Sequence, residues 1–485
     1  MPKSILIIIV VLCGLFALFL LFSNPNTKWV QPNVLKSQNG VLEVSLDAKT
    51  SNVFIGGTQK DSDVYNNKYL GDTWEVKGGD TIKVHLKNNL SEPTNLHFHG
   101  SHVSPKGNSD NVLLSIKPGE EFEYEYKLPD THPPGLYWYH PHLHPHVEDQ
   151  VMGGMAGAIR VRGDVDELAG IKGVPEKLLV LTTQEGKDQN TPTRLVNGQV
   201  NPMLFVQPLQ TVRLSILNAS ADDYYNFAIP GQKLNVISRD GNTLSHVQSV
   251  DNEVMAPGDR VEILLKAGWW GEYQVQSIAF DEGFAKYEET TFMKIKVAGI
   301  PVIPQSLPTE LIPFDDLSNS KIDNTRTLTF SMGGTEDNPT FLFDGKEFNK
   351  DVINQIMVLG TTEEWKLVND SNEVHPFHIH INPFQVISVN GQKVDRPGYD
   401  DTFPIPAHST VVIRTKYLDF DGKYVLHCHI LFHEDHGMMQ IVEVVKPGSA
   451  PASDNGVPLR EGMMEMDHNM MTGSNRYSKD NHMNH

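Results

Sequence analysis

At 485 residues the chain is long enough for two to four domains, each with a core of its own. Its 60 acidic against 40 basic residues give a formal charge of −20, which argues against nucleic acid as a partner and tolerates cationic substrates. Cys13 and Cys428 are its only cysteines, which excludes a disulfide-stapled scaffold. The first predicted element is the apolar run from Ile5 to Phe22, preceded only by Lys3. It is long for a signal-peptide core and just enough to span a bilayer, so 1–28 reads as an uncleaved anchor or a cleaved signal. Lipid attachment at Cys13 is a third option, poorly supported because Leu12 is not a good lipobox residue. Each option places the rest of the chain outside the cytoplasm, in a periplasmic or cell-surface setting, membrane-anchored or secreted. The body then holds one thiol, Cys428, in an oxidising compartment, where metal ligation would protect it.

Two patterns recur three times. The first is an alternating strand ending in asparagine: Ile82-Val84-Leu86 before Asn88, Val212-Leu214-Ile216 before Asn218, and Trp365-Leu367 before Asn369. Nine and eleven residues beyond each Asn stand His97 and His99, then Phe227 and Ile229, then His378 and His380. The second is a Pro-led turn, a strand, and Gly-x-Tyr, beginning at Pro118, Pro257 and Pro406. Five and seven residues beyond its Gly135, Gly271 and Gly422 stand His140 and His142, then Gln276 and Ile278, then His427 and His429. Period-two strands separated by Gly, Pro and Asn predict β-sandwich domains, and three copies predict three of them. The expected boundaries are 35–165, 175–300 and 327–447, with 301–326 as linker. Histidines at matching positions in the first and third copies imply eight imidazoles meeting where those domains face each other. The middle copy, lacking them, is expected to be a structural spacer that shapes a substrate entrance.

The third copy carries His427-Cys428-His429, then His433 and Met438. A thiolate, imidazoles and a weak thioether form the ligand set of an electron-transfer copper. Neighbouring side chains on a strand point to opposite faces. Cys428 can therefore face one metal while His427 and His429 face others behind it. His102, His132, His144, His146, His408 and His436 fall outside the register and are expected not to ligate. The tail, 448–485, carries Met463, Met464, Met466, His468, Met470, Met471, His482, Met483 and His485 without helical or strand period, and is expected to be disordered and to gather Cu(I).

With His97-Phe-His99-Gly, Trp138-Tyr-His140-Pro-His142, His375-Pro-Phe-His378-Ile-His380 and the Cys428 segment in this order, the chain resembles the three-domain multicopper oxidases, which include laccases and bacterial cuprous oxidases. The likeness runs from about residue 40 to 447. It implies an all-β fold of three consecutive cupredoxin-like Greek-key sandwiches and four coppers per chain. His375, Cys428 and His433 would hold the type 1 copper, with Met438 axial; His97 and His378 the type 2 copper; His99, His140, His142, His380, His427 and His429 the type 3 pair. Glu434 resembles the family's acid near the cluster. Asp110 stands near the place of its second carboxylate, although the loop before it is slightly longer and Asp110 is followed by Asn111 where glycine is usual. The implied reaction is one-electron oxidation of a reductant coupled to reduction of O₂ to water by a monomer. The reductant is expected to be Cu(I), in copper tolerance; phenols or aromatic amines are the laccase-like alternative, and copper sequestration in the envelope is an alternative of another class.

Overall fold

The computed structural model describes residues 29–184, 192–335 and 338–449, together with the backbone of 457–458. The expected N-terminal anchor or signal and the Met/His-rich segment of the tail lie outside the described residues; against the disorder expected over 448–485, Val457–Pro458 forms a short strand whose backbone pairs antiparallel with Val352 and Ile353. Among the described residues no helix is long and apolar enough to cross a membrane. The fold is all-β, as the alternating patterns predict; besides a two-stranded ribbon of Phe280–Asp281 and Lys286–Tyr287, its sheets fall into three successive pairs.

The first pair comprises a five-stranded sheet, in the order Val34–Lys36, Thr73–Lys77, Gly157–Arg162, Gly135–His140 and His97–His99, and a four-stranded sheet built on Val41–Ile55 and Thr81–Asn88. The second pair is a six-stranded sheet centred on Thr211–Asn218 and Arg260–Lys266, facing a five-stranded sheet that contains Tyr225–Ala228 and Gly271–Ser277. In the third, the sheet around Thr362–Asn369 faces one in which His375–Ile379 pairs with Gly422–Cys428. Each pair closes over its own apolar core. Phe227 and Ile229, which take the histidine positions in the middle copy, are buried in the second core. Each such burial contributes roughly 1.5–3 kcal/mol, so that copy uses for packing what the others use for imidazoles.

The recurring asparagine has a physical cause. Asn88, Asn218 and Asn369 are buried at strand ends, and each Nδ2 ties two loops: Asn88 donates to the Glu92 and Ile116 carbonyls, Asn218 to Asp223 and Met255, Asn369 to Glu373 and Ile405. Each Oδ1 accepts the backbone N–H two residues on, from Leu90, Ser220 and Ser371. One side chain thus satisfies backbone groups that would otherwise be buried unpaired. It also fixes the loop leading to the next strand, which in the outer domains carries the histidines.

Two short helices, Val147–Gly153 and Leu431–Asp435, meet at a junction of all three domains. There the Glu148 N–H donates to Asp435 Oδ2 at 2.9 Å and Asp222 Oδ1 accepts the Phe432 N–H at 3.1 Å. Burial, then the neighbouring Asp222, Asp435 and Asp149, push the Glu148 carboxyl up to about 9 from its ordinary 4.5. The unfolded chain gives up this proton near the ordinary value while the fold retains it, so stability falls as pH rises between the two. Glu148→Gln should therefore raise the Tm at about pH 8 by the equivalent of at least ~1 kcal/mol and leave it unchanged near pH 4. Thermal melts at both pH values check this; an equal gain at both would mean a packing effect instead.

Candidate metal centre

Strand register brings the predicted ligands together. His97 lies opposite His140 and His99 opposite Trp138; in the third domain His378 lies opposite His427 and Phe377 opposite Cys428. Alternate residues share a face, so each His-x-His pair presents two imidazoles in one direction. Three buried triads result, each with ligand atoms within 4.8 Å of one another: His97, His99 and His378; His99, His140 and His429; His142, His380 and His427. Every triad draws on both outer domains. The eight imidazoles form one cluster, with His97 stacked on His380 at 3.9 Å and His99 on His378 at 4.0 Å between ring centroids. His102, His132, His144, His146, His408 and His436 enter none of the ligand groups among the described residues.

The nitrogens left over fit a metal. His97 directs Nδ1 to Asp110, His140 to the Pro141 carbonyl, His378 to the Asp401 carbonyl and His427 to the Cys428 carbonyl. This leaves Nε2 of His97, His140 and His378 buried without a hydrogen-bond partner. His142 Nε2 and His427 Nε2 face each other at 3.0 Å, and His142 Nε2 and His380 Nε2 at 3.2 Å. His99 is reversed. Its Nε2 lies 3.2 Å from Asp401 Oδ1, so Nδ1 turns into the cluster, 3.3 Å from His429 Nε2. Hydrogen bonds on the far side of the ring fix the tautomer of a ligating imidazole in this way. Burial pushes His142, His378 and His427 down to about 4 and His97, His99, His140, His380 and His429 well below their ordinary value. All are therefore neutral, the form that ligates.

On the other face of the strand, Cys428 Sγ lies 3.7 Å from Nδ1 of both His375 and His433, whose Nδ1 atoms are 3.2 Å apart. Met438 shares the buried core of Cys428 and is placed by two backbone bonds: its carbonyl accepts the Cys428 N–H at 3.0 Å, and its N–H donates to the His433 carbonyl at 2.9 Å. Burial pushes the Cys428 thiol well above its ordinary pKa, so metal must displace a proton to gain a thiolate. The outer edges of the two histidines differ. Ser371 Oγ caps His375 Nε2 at 2.8 Å, whereas the His433 side chain is 8% exposed, with Glu373 Oε2 3.7 Å from its Nε2.

Glu434 is fully buried against the cluster, its oxygens 3.4 Å from His142 Nδ1 and 3.0 Å from His427 Nδ1. Neither contact is a hydrogen bond, and His427 Nδ1–H is committed to the Cys428 carbonyl instead. Burial pushes its carboxyl up to about 7, where it can hold or release a proton near neutrality. Asp110 sits on the other side, both oxygens within 3.1 Å of His97 Nδ1 and one accepting the Phe98 N–H at 2.9 Å. Burial raises it to about 8.

Several further groups around the site belong to no motif in the sequence. Asp401 reaches both His99 and His378, and the middle domain's Arg260 clamps its carboxylate. Burial alone would raise the Asp401 carboxyl, but Arg260 holds it below the usual carboxylate range. The middle domain is also more than a spacer. Gly258, with φ of +89°, packs against His429 so closely that a Cβ there would lie 2.8 Å from the ring. Only glycine combines that φ with that approach.

Three family models described as Multicopper oxidase match residues 47–166, 138–291 and 321–448. The chain belongs to the multicopper oxidase family. It is similar to the multicopper oxidase Mco of Staphylococcus aureus, with 28% identity over 440 residues, 86% of this chain and 92% of that protein. The laccase of Bacillus subtilis is 26% identical, over 79% of this chain and 90% of its own. Among solved structures, a Campylobacter jejuni multicopper oxidase described as a metallo-oxidase superposes with a TM-score of 0.74 at 27% identity, over 88% of this chain and 99% of that one. As a multicopper oxidase the protein is an oxidoreductase that uses O₂, and its His and Cys clusters fit the four coppers of the family: one type 1, one type 2 and two type 3. Bound there, copper would supply one-electron redox chemistry at the sulfur site and the reduction of O₂ at the histidine cluster. The chain supplies the connection. Cys428 is joined through one peptide bond to His427 and through another to His429, so the covalent path from its sulfur to either imidazole is short.

Proposed function

We propose that this multicopper oxidase works outside the cytoplasm as a monomer, oxidising Cu(I) in copper tolerance. His375, Cys428 and His433 with Met438 would hold the type 1 copper, and the other eight histidines the type 2 and type 3 coppers. Glu434 and Asp110 would handle the protons that oxygen reduction consumes. The observation that carries the choice of reductant is Glu373, whose carboxylate flanks the exposed edge of His433. The middle domain's Glu282 lies beside it: burial, and then the neighbouring Glu373, push the Glu282 carboxyl up to about 7, and its Oε2 has no partner. Two carboxylates at the electron entry favour a cation over a neutral phenol. The −20 charge and the Met/His tail support the same reading, and the N-terminal apolar run supports export. Laccase-like oxidation of phenols or aromatic amines is the second reading, favoured by the likeness to the Bacillus subtilis laccase.

Steady-state O₂ uptake separates the two. Cu(I) should be turned over faster than a phenol, and Glu373→Gln should slow Cu(I) about tenfold, as loss of one charge near 4 Å implies, while leaving the phenol rate nearly unchanged. A phenol outpacing Cu(I), or equal losses for both, would favour the laccase reading. Envelope sequestration would be favoured instead if copper tolerance survived Cys428→Ser but not deletion of 462–485.

A further inference from the structure

Arg260 is a middle-domain residue buried where all three domains meet. Its Nε donates to the Leu136 carbonyl of the first domain at 3.2 Å and its Nη1 to the Gly258 carbonyl of its own domain at 2.9 Å. Nη1 and Nη2 fork onto the two oxygens of Asp401 in the third domain, at 2.8 and 2.5 Å. Asp240, also of the middle domain, completes the grip. Its Oδ1 accepts the Arg260 N–H at 3.0 Å, and its Oδ2 accepts the N–H groups of Asp401 and Thr402 at 3.2 and 3.1 Å. Backbone and side chain of Asp401 are thus both fixed by a domain that supplies no ligand. Asp401 in turn meets His99 Nε2 with its carboxylate, at 3.2 Å, and His378 Nδ1 with its carbonyl, at 2.8 Å. Burying a guanidinium and two carboxylates carries a desolvation cost that apolar side chains would avoid. Arg260 differs from the buried Arg160–Glu262 bridge in the group that it holds. Its bidentate fork grips the carboxylate that sets which nitrogen of His99 faces the cluster.

We propose that Arg260 is a positioning residue for the three-copper cluster, acting through Asp401 to orient His99 and His378. This rests on those imidazoles being copper ligands. Arg160, equally buried and bridged to Glu262 between the first and second domains, is the control for a purely structural bridge. The test is copper titration of the copper-free protein, with type 1 absorption, the type 2 electron-spin-resonance signal and the Tm read on each variant. Arg260→Met and Asp401→Asn should each weaken copper affinity at the cluster about 10- to 100-fold, with the type 2 signal lost or altered and type 1 absorption retained. Arg260→Lys should recover part of the loss. Arg160→Met should lower the Tm with both copper classes intact. If Arg260→Met does not fold, the nearly isosteric Asp401→Asn decides alone. Normal type 2 signal and affinity in these variants, or equal loss of both copper classes in them and in Arg160→Met, would overturn the proposal. Failure of the wild-type protein to bind cluster copper would instead defeat the ligand assignment.

Discussion

Cys428→Ser is expected to bind three coppers per chain where the wild type binds four, to lose the intense blue thiolate absorption, and to consume O₂ at less than about a thousandth of the wild-type rate, some 4 kcal/mol. Three features of the residue lead there. Its sulfur is the only thiolate donor in the body of the chain, and an oxygen in its place is a poor ligand for a copper that must cycle to the reduced state. It lies 3.7 Å from both His375 and His433, so its loss dismantles that site alone. It is also the covalent neighbour of His427 and His429. The variant should fold, because serine is nearly isosteric and a buried hydroxyl costs about 1–3 kcal/mol. The histidine cluster on the opposite face of the strand should fill normally. Copper counting, visible absorption and O₂ uptake on one preparation check all of this; retained turnover would remove Cys428 from the electron path.

Glu434→Gln is expected to slow reoxidation by O₂ about 10²- to 10⁴-fold, the range typical of a removed acid–base group. Reduction of the type 1 site by the reductant should stay normal. Glutamine preserves volume and polarity beside His142 and His427 but cannot donate and recover an acidic proton. The position suits proton delivery, since the side chain is inaccessible to solvent, touches a cluster histidine from each outer domain and has no fixed hydrogen bond of its own. Rapid mixing of reduced enzyme with O₂, compared with anaerobic mixing of oxidised enzyme with reductant, separates the two half-reactions. Equal slowing of both would point to a distorted strand rather than a lost proton.

The sequence carried the candidate ligands because strand geometry writes them at fixed intervals. His-x-His is what period two requires of two imidazoles on one face, and the cysteine between two histidines is what opposite faces require of one strand. The buried asparagines were legible for a related reason, each ending a strand whose alternation is plain. What surrounds the ligands was not legible. Asp401 reaches His99 across 302 positions and is one of 60 acidic residues, with no local pattern to single it out. Arg260 and Gly258 lie in the copy whose histidine positions are filled by Phe227, Ile229, Gln276 and Ile278. That copy reads as inert until packing places its Pro-led turn against His429. Ser371, which caps His375, stands just before an already informative motif, yet a serine there reads equally well as a turn residue.

The most direct test is an electron-spin-resonance spectrum of the copper-loaded protein with copper counted per chain. Four coppers are expected, of which one gives a type 1 signal and one a type 2 signal while the remaining pair is silent. A count of one, a spectrum without the type 1 signal, or zinc in the histidine cluster would contradict the wiring of Cys428 to a three-copper cluster.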